Sequence, residues 1–356
     1  MPKIHDFLET FAQHYPQLEG ASLSPLQGGL INLTFLASTG FVLQRLHPVF
    51  QPQVNLDIAA LTPILRQQGV PVPSLLRQQD GSAWLELEAP EPFGGCWRVL
   101  ERLPGQSFDK VVSEAQVDAA SRGLARFHTA LLDTPHSFAF SRLGIHDTPA
   151  HLHKLQLALE RHHAHHLFSS VLDISRHIQS LWQQFGDTAL LPQRIGHGDP
   201  KLSNFLFDEQ HTLTGIIDLD TMGYTTLDAE LGDALRSWCS SSHEHADAPR
   251  FESSIFSVAV QSYLDQAPWL SQEERSAIPR APLRIALELS SRFAADALNE
   301  CYFGWDPAAA PSRGEHNLMR ARNQLALALD IERQLPLLQA ICAETVATRK
   351  AAIPSH

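Results

Sequence analysis

Eight consecutive residues constrain this chain more than any other feature. His197-Gly198-Asp199-Pro200-Lys201-Leu202-Ser203-Asn204 follows the pattern H-x-D-x-x-x-x-N, and fourteen residues past Asn204 comes Asp218, closing the run Gly215-Ile216-Ile217. The short apolar segments NFLF and LTGIID flank a polar turn, which reads as two short strands. One loop and a neighbouring strand end thus carry a carboxylate at Asp199, an amide at Asn204 and a second carboxylate at Asp218. Phosphoryl transfer needs such a set: a carboxylate near the attacking hydroxyl, and hard oxygen ligands for a Mg²⁺ that bridges phosphates. Asp199 then accepts the hydroxyl proton, Asn204 and Asp218 hold magnesium, and Lys201 neutralises the transferring group as a point charge. His197 braces the loop. The competing reading is a polar turn that fits the pattern by accident, and the order of elements before the loop argues against it.

Residues 1–15 read as an amphipathic helix. Leu23 to Leu46 then reads as strand, glycine-containing loop, strand, turn at Ser38-Thr39-Gly40 and strand, a β-hairpin signature. A helix is expected over 54–68, followed by strands in SAWLELEA and WRVLERL, and Leu103-Pro104-Gly105 breaks the pattern. Helices are expected over Ser113–Leu132 and near 150–185, 250–265, 280–300 and 315–345, interrupted by the β-rich island that holds the loop. The fold class is therefore α+β, with a small β-rich N-terminal lobe (1–101) and a large, mainly helical C-terminal lobe (102–356).

Composition narrows the partners. With 356 residues, 44% hydrophobic and 19% charged, the chain is neither collagen-like, nor a disulfide-stapled miniprotein, nor wholly disordered. Its 27 basic against 39 acidic residues give a net charge of −12, which argues against nucleic acid or an anionic membrane as partner. Cys96, Cys239, Cys301 and Cys342 show no metal-ligand spacing and read as thiols in a reducing compartment. The first residues lack the order of a signal peptide, and no apolar run approaches the roughly 18 residues of a membrane span, so a cytoplasmic protein is expected, monomeric or weakly self-associating. His162 and His166 in RHHAHH stand four apart, as zinc ligands do on a helix, but lack a third ligand and read as a solvated face. His243 and His245 read as part of a surface loop.

The segments GGLINLTF, FVLQRLHPVF, WRVLERLPGQSFD, GHGDPKLSNFLFD, IIDLDT and LGDALR resemble the aminoglycoside phosphotransferase and choline kinase superfamily. That resemblance implies a bilobal, protein-kinase-like fold and an ATP- and Mg²⁺-dependent enzyme. RFAADALNECYF and GEHNLMRARNQLAL make the chain look most like the N-acetylhexosamine 1-kinases, which implies a sugar acceptor. Carried over position by position, the resemblance makes Asp199 the base and Lys201 a phosphate-stabilising residue. It assigns Asn204 and Asp218 to the metal, with Asp220 as a second metal contact or a hydrogen-bond partner behind it. Gly28, Gly29 and Asn32 fall where the nucleotide-phosphate loop lies, and paired glycines let backbone N–H groups approach an anion. The connector from Glu101 would bind adenine through its main chain. Arg292, Asp296 and Tyr302 are nominated for the sugar, with Asp228 and Arg236 behind them. Arg292 and Asp296, at i and i+4, suit hydroxyl recognition or an ordinary ion pair equally.

One position departs from the kinase pattern. Where a lysine pairs with the nucleotide phosphates on the third strand, this chain reads Phe41-Val42-Leu43-Gln44-Arg45. Val42 and Gln44 share a face, so neutral Gln44 occupies the lysine's place. The following helix offers only Asn55 and Asp57 in place of the lysine's glutamate partner. Three readings follow: a sugar 1-kinase, a phosphotransferase for another small hydroxyl compound such as an aminoglycoside or choline-like alcohol, and a nucleotide-binding pseudokinase.

Overall fold

The computed structural model describes residues 4–26, 32–89, 92–140, 144–185, 191–240 and 249–352. Its elements run α1 (Ile4–His14), β1 (Leu23–Pro25), β2 (Leu33–Ala37), β3 (Phe41–Arg45), α2 (Val54–Gln67), β4 (Leu75–Leu76), β5 (Leu85–Leu87), β6 (Gly95–Glu101) and β7 (Gln106–Ser107). There follow α3 (Glu114–Leu131), α4 (Thr148–Arg161), α5 (Phe168–Gln183), β8 (Gln193–Gly196), β9 (Phe205–Phe207), β10 (Leu213–Ile216) and β11 (Gly223–Thr226). The chain closes with α6 (Leu227–Trp238), α7 (Ser253–Gln266), α8 (Gln272–Ala277), α9 (Ala281–Asn299) and α10 (Arg313–Ala352). The class is mixed α+β, with strands concentrated early and helices late. Among the described residues no helix is long and apolar enough to cross a membrane.

Two compact units divide the contacts. The first comprises Met1–Ser107, Arg126–Arg142 and Asn204–Gly223; the second Phe108–Ala125, Leu143–Ser203 and Tyr224–His356. The β9–β10 hairpin and the chain after the middle of α3 thus fall in the same unit as the N-terminal sheet.

In the first unit, β1-β2-β3-β6-β4 form an antiparallel sheet with β5 also on β6. Its register places Phe35, Leu43 and Val99 across from one another. Directly opposed residues share a face, and this face packs on α1. Phe7, Phe11, Phe35 and Trp97 gather there, the Trp97 ring lying 4.8 Å from Phe7 and 5.6 Å from Phe11. Burying each such ring contributes about 1.5–3 kcal/mol, so this cluster anchors the sheet. The same register sets Thr34, Gln44 and Arg98 in a polar row on the other face. A separate sheet, β10-β9-β7, completes the unit.

In the second unit α9 packs against α4, α5, α6 and α10. Nearly every residue of α6 is buried. This helix was not anticipated, because Asp228, Glu230 and Asp233 make its sequence look solvated. The stretch near 150–185 holds two helices, α4 and α5. α4 ends at Arg161, so His162 and His166 do not share a helix face. His162 Nε2 lies 3.0 Å from Asn299 Oδ1, and His165 Nε2 3.3 Å from Glu300 Oε1. Residues 243 and 245 lie outside the described residues.

Candidate active site

The loop that carries Asp199 belongs to the second unit and is held by α6. The buried Glu230 carboxylate accepts the backbone N–H of His197 at 2.7 Å and of Gly198 at 3.0 Å. Gly198 adopts a left-handed conformation (φ 81°), which glycine takes without steric cost. At Gly196 a Cβ would lie 2.6 Å from Thr225 Cγ2 and 2.8 Å from Glu230 Oε2, so only glycine fits beside the carboxylate. Further along, the Trp238 indole donates to the Pro200 carbonyl at 3.0 Å, and Leu202 N–H donates to Ser237 Oγ at 3.4 Å. His197 Nδ1 accepts the Asp199 N–H at 3.3 Å, the bracing role expected of it.

On this loop the Lys201 ammonium donates to Asp199 Oδ2 at 2.8 Å, both side chains being about one-third exposed. Burial disfavours the Asp199 carboxylate, but Lys201, with His197 and Arg236, more than offsets it and holds the group below the usual 3.8. The pair thus presents an ionised carboxylate beside a cation at neutral pH.

The metal candidates lie in the first unit, at one end of the β9–β10 ladder. Phe205 pairs with Ile216, and Ile217 N–H donates to the Asn204 carbonyl at 2.9 Å. Asn204 and Asp218 therefore flank the same ladder end. Asp218 is a non-glycine residue in the left-handed region (φ 62°, ψ 55°); such strain gathers at functional positions. An amide oxygen and a carboxylate fit a hard cation such as Mg²⁺, which binds through few protein ligands and leaves the rest to phosphates and water. Among the described residues no group of three or more His, Cys, Asp or Glu forms a metal cluster.

Asp220 is engaged by an arginine. It is buried, and its two oxygens face the Arg98 guanidinium, Oδ2 at 2.9 Å from Nη2 and Oδ1 against Nη1. Asn32 Nδ2 adds a bond to Oδ2 at 3.1 Å. A carboxylate so engaged serves Arg98, and a metal would have to displace an arginine to reach it. Arg98 also donates to Gln44 Oε1, from Nε at 3.0 Å and Nη2 at 2.8 Å, and to Asn55 Oδ1 at 3.4 Å. Asp57 is spent elsewhere, accepting from the backbone of Ala139 and Phe140 and facing His136. Glu101, at the end of β6, pairs with Arg66 at 2.8 Å, and its N–H donates to the Ser74 carbonyl. Gly28 and Gly29 lie outside the described residues.

Of the residues nominated for the sugar, all in the second unit, Asp296 is fully committed. Its carboxylate accepts the N–H groups of Cys301, Tyr302 and Phe303 at 2.8–3.0 Å and the Asn317 amide at 2.9 Å. It shapes the turn that carries Tyr302, instead of offering free oxygens to a hydroxyl. Tyr302 is 54% exposed. Arg292 does not pair with Asp296: it faces Glu288 at 3.7 Å and lies over the Phe303 ring. Arg236 bonds Asp233 at 3.0 Å, and Asp228 pairs with Arg284.

Arg98 and Glu230 are the residues that sequence reasoning missed. Each left a trace: an arginine inside the apolar strand run Cys96-Trp97-Arg98-Val99-Leu100, and a glutamate between the buried apolar positions Ala229 and Leu231.

Comparison with known proteins follows the same outline. A family model described as the phosphotransferase enzyme family (APH) matches residues 22–259. Among solved structures, a microcompartment-associated aminopropanol kinase superposes with TM-score 0.62 at 18% identity, covering 95% of this chain and 99% of that one. A GDP complex of aminoglycoside 2'-phosphotransferase-IIIa gives 0.58 at 17% identity over 97% and 99%. A choline kinase from Cryptosporidium parvum Iowa II gives 0.60 at 13% identity over 95% and 98%. At these identities the likeness is one of fold.

Proposed function

The chain belongs to the APH phosphotransferase enzyme family, and from that premise we propose that it transfers the γ-phosphoryl group of ATP to the anomeric hydroxyl of an N-acetylhexosamine, GlcNAc or GalNAc. The observation that carries the transfer step is the Asp199–Lys201 pair on a loop held by Glu230, with Asn204 and Asp218 at one strand end. Asp199 orients the acceptor hydroxyl and accepts its proton as the bond to phosphorus forms. Lys201 offsets charge on the transferring oxygens. Asn204 and Asp218 would hold a magnesium ion, whose charge neutralises the nucleotide phosphates. A protein that only bound nucleotide would have use for the Asn204 and Asp218 pair but none for a braced Asp199 paired with Lys201.

The sugar assignment rests on the resemblance of the late helical segment and on charge. Each acid on α6 and α9 already carries a partner: Asp228 has Arg284, Glu230 the loop backbone, Asp233 Arg236, Glu288 His146 and Thr148, and Asp296 its turn. A cationic acceptor would call for a wholly unpartnered carboxylate, and every acid of these two helices has at least one partner, Asp228 keeping a single buried oxygen, Oδ1, without one; a neutral sugar needs only hydrogen bonds. Tyr302 and Arg292 are then the acceptor-side residues, with Asp296 holding the turn that carries Tyr302. The second reading, an amino-alcohol or aminoglycoside acceptor, draws on the names of the structural neighbours. ADP release measured with a panel of hexosamines, aminoglycosides and amino alcohols separates the two. Turnover with amino alcohols alone would remove the sugar assignment.

A further inference from the structure

The strand position where a lysine was expected is resolved by its neighbour. Thr34, Gln44 and Arg98 stand side by side on β2, β3 and β6. Arg98 is 1% exposed and faces Asp220, Gln44 and Asn55. A guanidinium has donors only, so an amide beside it must turn its oxygen inward. Gln44 does so, with Oε1 on both Nε and Nη2 of Arg98. Its Nε2 gives one long bond to Thr34 Oγ1 at 3.4 Å, and a second N–H remains. Asp220, whose charge would repel a polyphosphate, is neutralised by the same guanidinium and bonded to Asn32, the residue that follows 27–31.

We propose that Arg98 is a positioning residue for the nucleotide. It touches no phosphate; it holds Gln44 in the one amide orientation that offers an N–H to a phosphate oxygen, and it removes the Asp220 charge from that field. The positive charge missing from β3 is thus present one strand away, spent on polarity instead of direct contact. This inference rests on the phosphotransferase reading.

The test compares binding of ATP and of adenosine to the full chain by calorimetry, with magnesium present. The ratio of the two affinities reports phosphate contact and is insensitive to overall stability. Gln44→Met, which leaves the Arg98–Asp220 pair intact, is expected to lower ATP affinity about fivefold to tenfold, as loss of one hydrogen bond does, with adenosine within about twofold. Arg98→Met with Asp220→Met exchanges a buried ion pair for apolar groups, a change that folded proteins commonly tolerate, and should lower the ratio similarly. Adding Gln44→Met to that pair should lower it no further. An unchanged ratio in Gln44→Met, or additive losses in the triple variant, would overturn the proposal. Wild-type protein that binds neither nucleotide nor nucleoside would instead overturn the phosphotransferase reading, and this inference with it.

Discussion

The Glu230 carboxylate accepts the His197 backbone N–H at 2.7 Å from a position on α6 where the side chain is fully buried. A buried carboxylate is stable only when its lone pairs are filled, and here backbone N–H groups of the loop that carries Asp199 fill them. The relation is mutual: the loop satisfies the glutamate, and the glutamate fixes the loop.

Glu230→Gln keeps the shape and turns an amide group toward one of those N–H donors. The expected cost is about 1–3 kcal/mol of stability, the penalty for hydrogen bonds left unmade, measured by urea unfolding. The turnover number should fall while the ATP affinity stays near wild type, because the loop and not the nucleotide sheet is disturbed.

Lys201 sets the pH range of the base. Asp199 is held below its ordinary value, with burial opposing and Lys201 the largest favourable charge. The ionised form therefore persists to lower pH than in an ordinary aspartate, and its contribution is lost only as pH falls through the depressed value. The acid limb of kcat/KM should lie below that of an ordinary aspartate as far as Asp199 governs it. Lys201→Met should move that limb to higher pH and lower the plateau, read from the pH profile of kcat/KM.

Asp296 and Tyr302 separate shape from contact. Asp296→Asn removes charge from a site that receives three backbone N–H groups and should cost about 1–3 kcal/mol while raising the acceptor KM. Tyr302→Ala changes an exposed side chain and should leave stability within about 0.5 kcal/mol. Its effect should appear in the acceptor KM alone, measured by steady-state kinetics beside thermal unfolding.

Gly232 reports the seat of α6. A Cβ there would lie 2.6 Å from the Ala281 carbonyl oxygen and 2.7 Å from Ile285 Cγ1, both on α9. Elsewhere in a helix Gly→Ala gains about 1 kcal/mol. Here overpacking should dominate, and Gly232→Ala should destabilise by about 1–3 kcal/mol in chemical denaturation.

The candidate loop stands out in the sequence because phosphoryl transfer would demand fixed spacing inside a short segment: Asp199, Lys201 and Asn204 lie within six residues, and Asp218 comes two residues after the end of β10. The helices and strands around it followed from apolar periodicity. Arg98 and Glu230 were not legible, because their meaning lies in partners 122 and 33 residues away. The family resemblance set Asp220 beside the metal ligands, as a metal contact or a hydrogen-bond partner, and the Arg98 guanidinium that faces it comes from a strand 122 residues earlier in the chain. Asp296 was read as one of a helical pair with Arg292, whereas its oxygens face the turn after α9. The β4 and β11 strands and the α6 and α8 helices escaped because they are short or rich in charged residues whose solvent is replaced by ion pairs and backbone donors.

The most direct measurement is ADP release from ATP and Mg²⁺ with N-acetylhexosamine acceptors, for wild type beside Asp199→Asn, with nucleotide binding followed in parallel. Turnover in wild type, a loss of about a hundredfold or more in Asp199→Asn, and unchanged ATP binding are predicted. Undiminished turnover in Asp199→Asn would contradict the assignment of the base, and absence of turnover with every hydroxyl acceptor would contradict the account as a whole.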